Sequence, residues 1–275
     1  MIEGGEGSRE PAPGTPAREA IPALLDIYGE RLLQLGLRTC HSQAEAEDLL
    51  QETMVEALRS WEGFEGRSRP STWLFRIALR TCRRMHRRRA GEPPGFDPLD
   101  RLQDASRGLS AGPRGRTPRA VARAETTREV RRRLDAALAI VPRDFRIALV
   151  LKDIADFSLE EVAEILGVRP ATVKTRVHRG RLKLREALSN EGVFGPLPES
   201  PVPRRVCMDL LRAKLDAMDR GVDFPFPHGE ICDRCSALFQ SLDLGQQACA
   251  SLRGGDLPEV LRIRLEGLLS DGSEF

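Results

Sequence analysis

The 275-residue sequence has no apolar run approaching the roughly 18 residues that a membrane-spanning helix needs. Its first residues, MIEGGEGSREPAPGTPARE, are acidic and rich in glycine and proline, and they lack the apolar core of a signal peptide. The expectation is a cytoplasmic protein without membrane contact, whose cysteines stay reduced. Strand signals are scarce as well. Histidine is limited to four scattered residues, and neither a phosphate-binding glycine loop nor a nucleophile–base pattern is present. These absences argue against an enzyme. Lysine is rare too, four residues against 39 arginines, an imbalance that says little about function. Six cysteines in a reducing compartment point to metal ligation or incidental thiols rather than to a disulfide framework.

What the sequence does have is segregated charge. The formal net charge of +2 combines −7 over residues 1–62, +14 over 63–206 and −5 over 207–275. A basic middle between acidic ends is the footprint of a polyanion-binding surface, with nucleic acid the first candidate. Apolar residues recur at helical spacing throughout, so the fold class expected is all-α. Ser42-Gln43-Ala44-Glu45 reads as a capping box opening a helix with Leu50, Met54, Ala57 and Trp61 on one stripe. After the short loop EGRSRPS, a further helix runs from about Thr72 into RIALRTCRRMHRRR, seven arginines without an acid between Arg76 and Arg89. A helix of that charge suits DNA phosphates. Residues 90–120 are rich in proline, glycine and arginine and read as a flexible linker.

The sharpest local pattern is SLEEVAEILGVRPATVKTRVHRGRLKLRE, residues 158–186. Ser158-Leu159-Glu160-Glu161 caps a short helix whose Val162, Ile165 and Leu166 face inward. Gly167 supplies the positive φ of a tight turn, and Pro170 fits the first position of a second helix anchored by Val173 and Val177. Residues 167–185 contain seven Lys/Arg and no acid. This is the construction of a helix-turn-helix whose second helix enters the major groove.

Together with AEDLLQET (46–53) and STWLFRIA (71–78), this stretch resembles a bacterial RNA polymerase sigma factor of the extracytoplasmic-function type. The resemblance covers about residues 20–89 and 125–189, roughly half the chain, with both blocks in family order. It implies core RNA polymerase and promoter DNA as partners, and it leaves room for a separate anti-sigma protein. Asp48, Gln51 and Glu52 fall where the family binds core polymerase. The stretch from Phe64 to Arg89 falls where it opens and reads the −10 element, with Arg76, Arg80, Arg83, Arg84 and Arg87 as DNA contacts. Residues 169–181 match its −35 reader, with Arg169, Thr172, Lys174, Thr175, Arg176, His178 and Arg179 as contacts. Leu79, Arg80 and Arg84 depart from the family pattern, which bears on the −10 preference and not on the class. Trp73 has apolar neighbours and reads as a packing residue. A stand-alone helix-turn-helix regulator is the competing reading, and AEDLLQET argues against it.

Near the C-terminus, His228, Cys232 and Cys235 stand at i, i+4 and i+7. On a helix they would share one face, a donor set that suits tetrahedral Zn2+ and needs a fourth ligand. Cys207 is the first candidate for that place and Cys249 the second, while Cys40 and Cys82 read as core or incidental thiols. The spacing resembles the zinc-binding anti-sigma domain, which implies a fused regulatory module with DLPEVLRIRLEGLL as its last helix. The expected layout is then a disordered N-terminus at 1–19, a first sigma domain at 20–90 and a linker at 91–124. A second sigma domain at 125–190, a linker at 191–204 and the zinc module at 205–270 follow.

Overall fold

The computed structural model describes residues 10–40, 42–89, 118–226, 231–253 and 257–270; side chains at 87–89, 118–128 and 270 lie outside the description. Every regular element among the described residues is helical: α1 (Ala17–Thr39), α2 (Gln43–Ser60), α3 (Pro70–Arg89), α4 (Pro118–Ile140), α5 (Arg143–Leu149), α6 (Leu159–Leu166), α7 (Pro170–Asn190), α8 (Arg204–Arg220), α9 (Asp233–Ala250) and α10 (Glu259–Ser270). They fall into two compact units. One holds α1, α2, α3, nearly all of α6, and α10, and the other α4, α5, α7, α8 and α9.

In the first unit, α1 packs along α2, and both pack on α3. Ser42 caps α2 by accepting the backbone N–H of Glu45 at 3.2 Å, as its sequence position predicts. The stripe Leu50, Met54, Ala57 and Trp61 is buried. Trp61, Phe64 and Trp73 form an aromatic cluster with ring centroids 5.0–5.4 Å apart, so Trp73 does pack. The disordered N-terminus expected at 1–19 needs correction from residue 10 onward. Trp61 donates its indole N–H to the Thr15 carbonyl at 2.7 Å, and the Tyr28 hydroxyl donates to the Glu10 carboxylate. Burial, then that carboxylate, push the Tyr28 hydroxyl up to about 12. A buried indole N–H and phenol need acceptors, and the flanking segment provides them. Residues 1–9 lie outside the described residues.

α10 joins this unit rather than α8 and α9, so the block read as one module at 205–270 is divided. Leu261, Leu265 and Leu269 form its buried stripe, and Arg262 reaches Asp26 of α1 at 2.6 Å. Burying such leucines contributes about 1.5–3 kcal/mol each. The i, i+4, i+8 spacing identifies the apolar stripe of α10 but not the surface it covers.

In the second unit, α7 packs on α5, α4 and α9. Gly180 permits the close approach of α7 to α5, because a Cβ there would stand 3.1 Å from the Phe145 carbonyl oxygen and 3.3 Å from Leu149 Cβ. α4 begins at Pro118, within the stretch read as linker, and residues 91–117 lie outside the description. After α5 the chain makes a single π-helical turn, Val150–Ile154, which turns Asp153 into the interior. α8 and α9 share an apolar cluster of Leu211, Leu215, Met218, Cys235, Phe239 and Leu242, with Leu182 of α7 against it. No helix among the described residues is long and apolar enough to cross a membrane.

Candidate functional site

The turn between α6 and α7 is built as its sequence requires. Gly167 has φ +67°, and the Val168 N–H closes on the Ala163 carbonyl at 3.1 Å. Pro170 opens α7, whose Val173 and Val177 are fully buried. That burial fixes the rotation of the helix and brings Arg169, Thr172, Thr175 and Arg179 to the surface. Thr175 also donates to the Ala171 carbonyl at 3.0 Å, and Arg179 lies over the Phe145 ring at 5.9 Å. Arg176 pairs with Asp144 at 3.0 Å.

The other two candidates on α7 meet the C-terminal block. Lys174 Nζ lies 2.9 Å from Asp216 Oδ1, and His178 Nε2 lies 2.7 Å from Asp219 Oδ2. Beneath them, Arg181 donates twice to Asp153, at 2.9 and 2.8 Å, and once to Asp219, at 2.6 Å. Burial alone would lower the Arg181 pKa, yet Asp153 first and Asp219 next hold it above the ordinary arginine value. For Asp219, burial acts to raise the carboxyl pKa, but the hydrogen bond from His178 and the charge of Arg181 keep it below its usual range. Arg185, one turn on, donates to Ser241 of α9 at 3.2 Å. Sequence reasoning did not single out Asp153, Arg181, Asp216 or Asp219. The signal available was the opposite charge of the two segments and the alternation of Asp216 and Asp219 with buried Leu215 and Met218.

In the first unit, Asp48 is exposed on α2, with Gln51 and Glu52 half-buried. On α3, Arg80 and Arg83 are exposed, Arg76 donates to the Glu164 carbonyl at 2.8 Å, and Arg84 pairs with Glu52 at 2.9 Å. The Arg87 side chain lies outside the described residues.

Three of the four metal-ligand candidates come together. Cys207, Cys232 and Cys235 place their sulfurs within 4.8 Å of one another. The expectation that His228, Cys232 and Cys235 line one face of a helix is corrected, because α9 starts at Asp233 and Cys232 is its N-cap, with φ −66° and ψ 156°. In that position the Cys235 N–H donates to the Cys232 sulfur and is the main reason the Cys232 thiol lies below its ordinary range. Burial first, then hydrogen bonding with Cys207, push the Cys235 thiol up to about 12. Ser200 Oγ and Cys207 Sγ share a hydrogen bond of 3.1 Å. His228 lies outside the described residues. Cys249 is fully buried and lines a small cavity with Asp153 and Arg181, away from the thiol cluster. Three converging sulfurs are a donor set that can hold a thiophilic metal ion. A second group that could hold one, Cys40, Cys82 and His86, lies in the first unit.

Residues 24–92 match the family model described as sigma-70 region 2, and residues 131–184 match sigma-70 region 4. The chain is 34% identical over 175 residues to the ECF RNA polymerase sigma factor SigW of Bacillus subtilis, covering 62% of this chain and 90% of that protein. It is 29% identical over 171 residues to the RNA polymerase sigma-H factor of Pseudomonas aeruginosa, covering 62% and 87%. A further relative, the RNA polymerase sigma factor YlaC of Bacillus subtilis, is 30% identical over 172 residues, with 62% and 94% covered. With both region models matched in order and nine-tenths of a one-third-identical relative covered, this chain belongs to the ECF RNA polymerase sigma factors.

Proposed function

We propose that this sigma factor binds core RNA polymerase through the α2 surface bearing Asp48, Gln51 and Glu52, reads promoter DNA with α3 and α7, and is held inactive in cis by its C-terminal segment. The observation that carries the regulatory part is the seating of Asp216 and Asp219 on Lys174, His178 and Arg181 of α7. The Asp216 carboxylate on Lys174 does what a DNA phosphate would do, so this face of the helix cannot serve both at once. The tether between α7 and α8 is residues 191–203, which puts the competing acids at an effective concentration on the order of millimolar.

Zn2+ is the metal that the thiol cluster suits, with Cys207, Cys232 and Cys235 as ligands and His228 as the fourth. When bound it supplies a tetrahedral cross-link between the head of α8 and the start of α9. Cys207 holds the first turn of α8, the same helix whose far end carries Asp216 and Asp219. Loss of the cross-link, by chelation or by oxidation of the thiolates, would loosen the helix that covers α7.

Run-off transcription with core polymerase, comparing the full chain with one ending at Glu199, is the test. Higher transcription from the shorter chain supports inhibition in cis. Equal or lower transcription overturns it, and failure of both chains to associate with core polymerase returns the helix-turn-helix regulator as the better reading.

A further inference from the structure

Cys40, Cys82 and His86 were not part of any motif, and the described structure gathers them in the first unit. Their ligand atoms lie within 4.8 Å of one another. Cys82 and His86 stand at i and i+4 on α3, the spacing that puts two side chains on one helix face. Cys40 is the C-cap of α1, with its N–H closing on the Gly36 carbonyl at 2.8 Å. Cys82 is buried, whereas Cys40 and His86 are each half-buried, so the group has an approach from solvent.

The histidine is also oriented. Its Nε2 lies 3.1 Å from the Thr39 carbonyl oxygen, an atom that can only accept. Nε2 therefore donates to that oxygen, which fixes the orientation of the ring. A ring nitrogen donating to a backbone carbonyl is the arrangement usual for a metal-ligating histidine. Thr39 is itself fixed, since its hydroxyl donates to the Leu35 carbonyl at 2.7 Å. Packing alone accounts for a buried Cys82, but it does not require a second thiol and an oriented imidazole beside it.

We propose that Cys40, Cys82 and His86 form a second metal site, for a thiophilic d10 cation such as Zn2+, independent of the C-terminal cysteines. Two thiolates and one imidazole leave a tetrahedral ion one position for water or an added ligand. The ion would tie the C-terminal end of α1 to α3, beside Arg83 and Arg84, and so steady the helix proposed to read the −10 element. Binding releases the two thiol protons to solvent and involves no change of oxidation state.

The test is titration of the reduced full-length protein with Zn2+ against a chromophoric chelator, and separately with Co2+. Wild type should bind two equivalents, C40A/H86Q one, C207S/C232S one, and the four-fold variant none. Cys40 and His86 are half-buried, so their replacement is compatible with folding, which the helical circular dichroism signal checks. The cobalt complex of C207S/C232S should still show a sulfur-to-metal charge-transfer band, weaker than that of C40A/H86Q because fewer thiolates contribute. One equivalent in wild type that survives in C207S/C232S and is lost in C40A/H86Q would uphold this site while removing the C-terminal one. The inference is overturned if C40A/H86Q binds as much metal as wild type, or if Cys40 and Cys82 are found disulfide-bonded in protein that binds no metal there.

Discussion

Arg181 of α7 and Asp219 of α8 meet at 2.6 Å with their side chains 3% and 4% exposed, so the C-terminal segment reaches the recognition helix through a desolvated ion pair. Asp153 completes the neutralisation of Arg181 from the π-helical turn. Above this pair, the more exposed Lys174–Asp216 contact lies toward solvent. Buried pairing provides specificity of seating, whereas the exposed pair is where DNA phosphates can compete.

The first prediction removes the competing acids. D216N/D219N should bind a −35 element more tightly by about 1–3 kcal/mol, the range of typical coupling energies between sites. The phosphate contact that Lys174 regains should steepen the dependence of log K on log salt by about 0.9. Fluorescence anisotropy across a salt series reads both quantities. Unchanged affinity and slope would mean that α8 does not compete with DNA.

The second concerns the buried network. Arg181→Ala leaves Asp153 and Asp219 without their cation and should destabilise the second unit by about 3–5 kcal/mol, measurable by urea unfolding. Asp219 has a folded pKa below its unfolded value, so its contribution is present above the ordinary carboxylate range and is lost as pH falls through the folded value. Wild type should therefore lose stability on acidification more steeply than D219N.

A third prediction separates base readout from charge. Arg176→Ala or Arg179→Ala should cost about 1–3 kcal/mol with relaxed specificity if the side chain reads a base. Loss of Arg179 also removes its contact over Phe145, so stability is to be measured beside affinity. If neither substitution alters binding to a −35 element, α7 is not the reader.

For the polymerase surface, D48R/E52R should abolish association with core enzyme in co-purification. Glu52 pairs with Arg84 at 2.9 Å, but both side chains are about two-fifths exposed, so the fold should lose no more than about 1 kcal/mol. Retained association would remove this surface from the assignment.

The thiol cluster gives a last prediction. Cys207→Ser, Cys232→Ser and Cys235→Ser should each lower metal content at the C-terminal site, and His228→Ala should do so if the histidine is the fourth ligand. Cys249→Ser should retain the metal, because Cys249 sits apart from the cluster. Metal analysis of the reduced proteins decides between them.

Local features of this chain were legible without coordinates because their causes are local. Ser42 caps α2 through its own hydroxyl, Gly167 takes a positive φ that other residues resist, and Val173 and Val177 set which face of α7 is buried. Spacing likewise nominated Cys232 and Cys235, with Cys207 added from the head of α8, although the helix expected to carry both Cys232 and Cys235 starts only at Asp233, with Cys232 as its N-cap. Periodicity states which face of a helix is apolar and is silent about its partner. Only tertiary structure could therefore place α10 on α1 and α2, bring Asp216 and Asp219 onto α7, and bury Arg181 between two carboxylates. Cys40 and His86, 46 positions apart, became neighbours for the same reason, because packing of α1 on α3 joins residues that no sequence window contains.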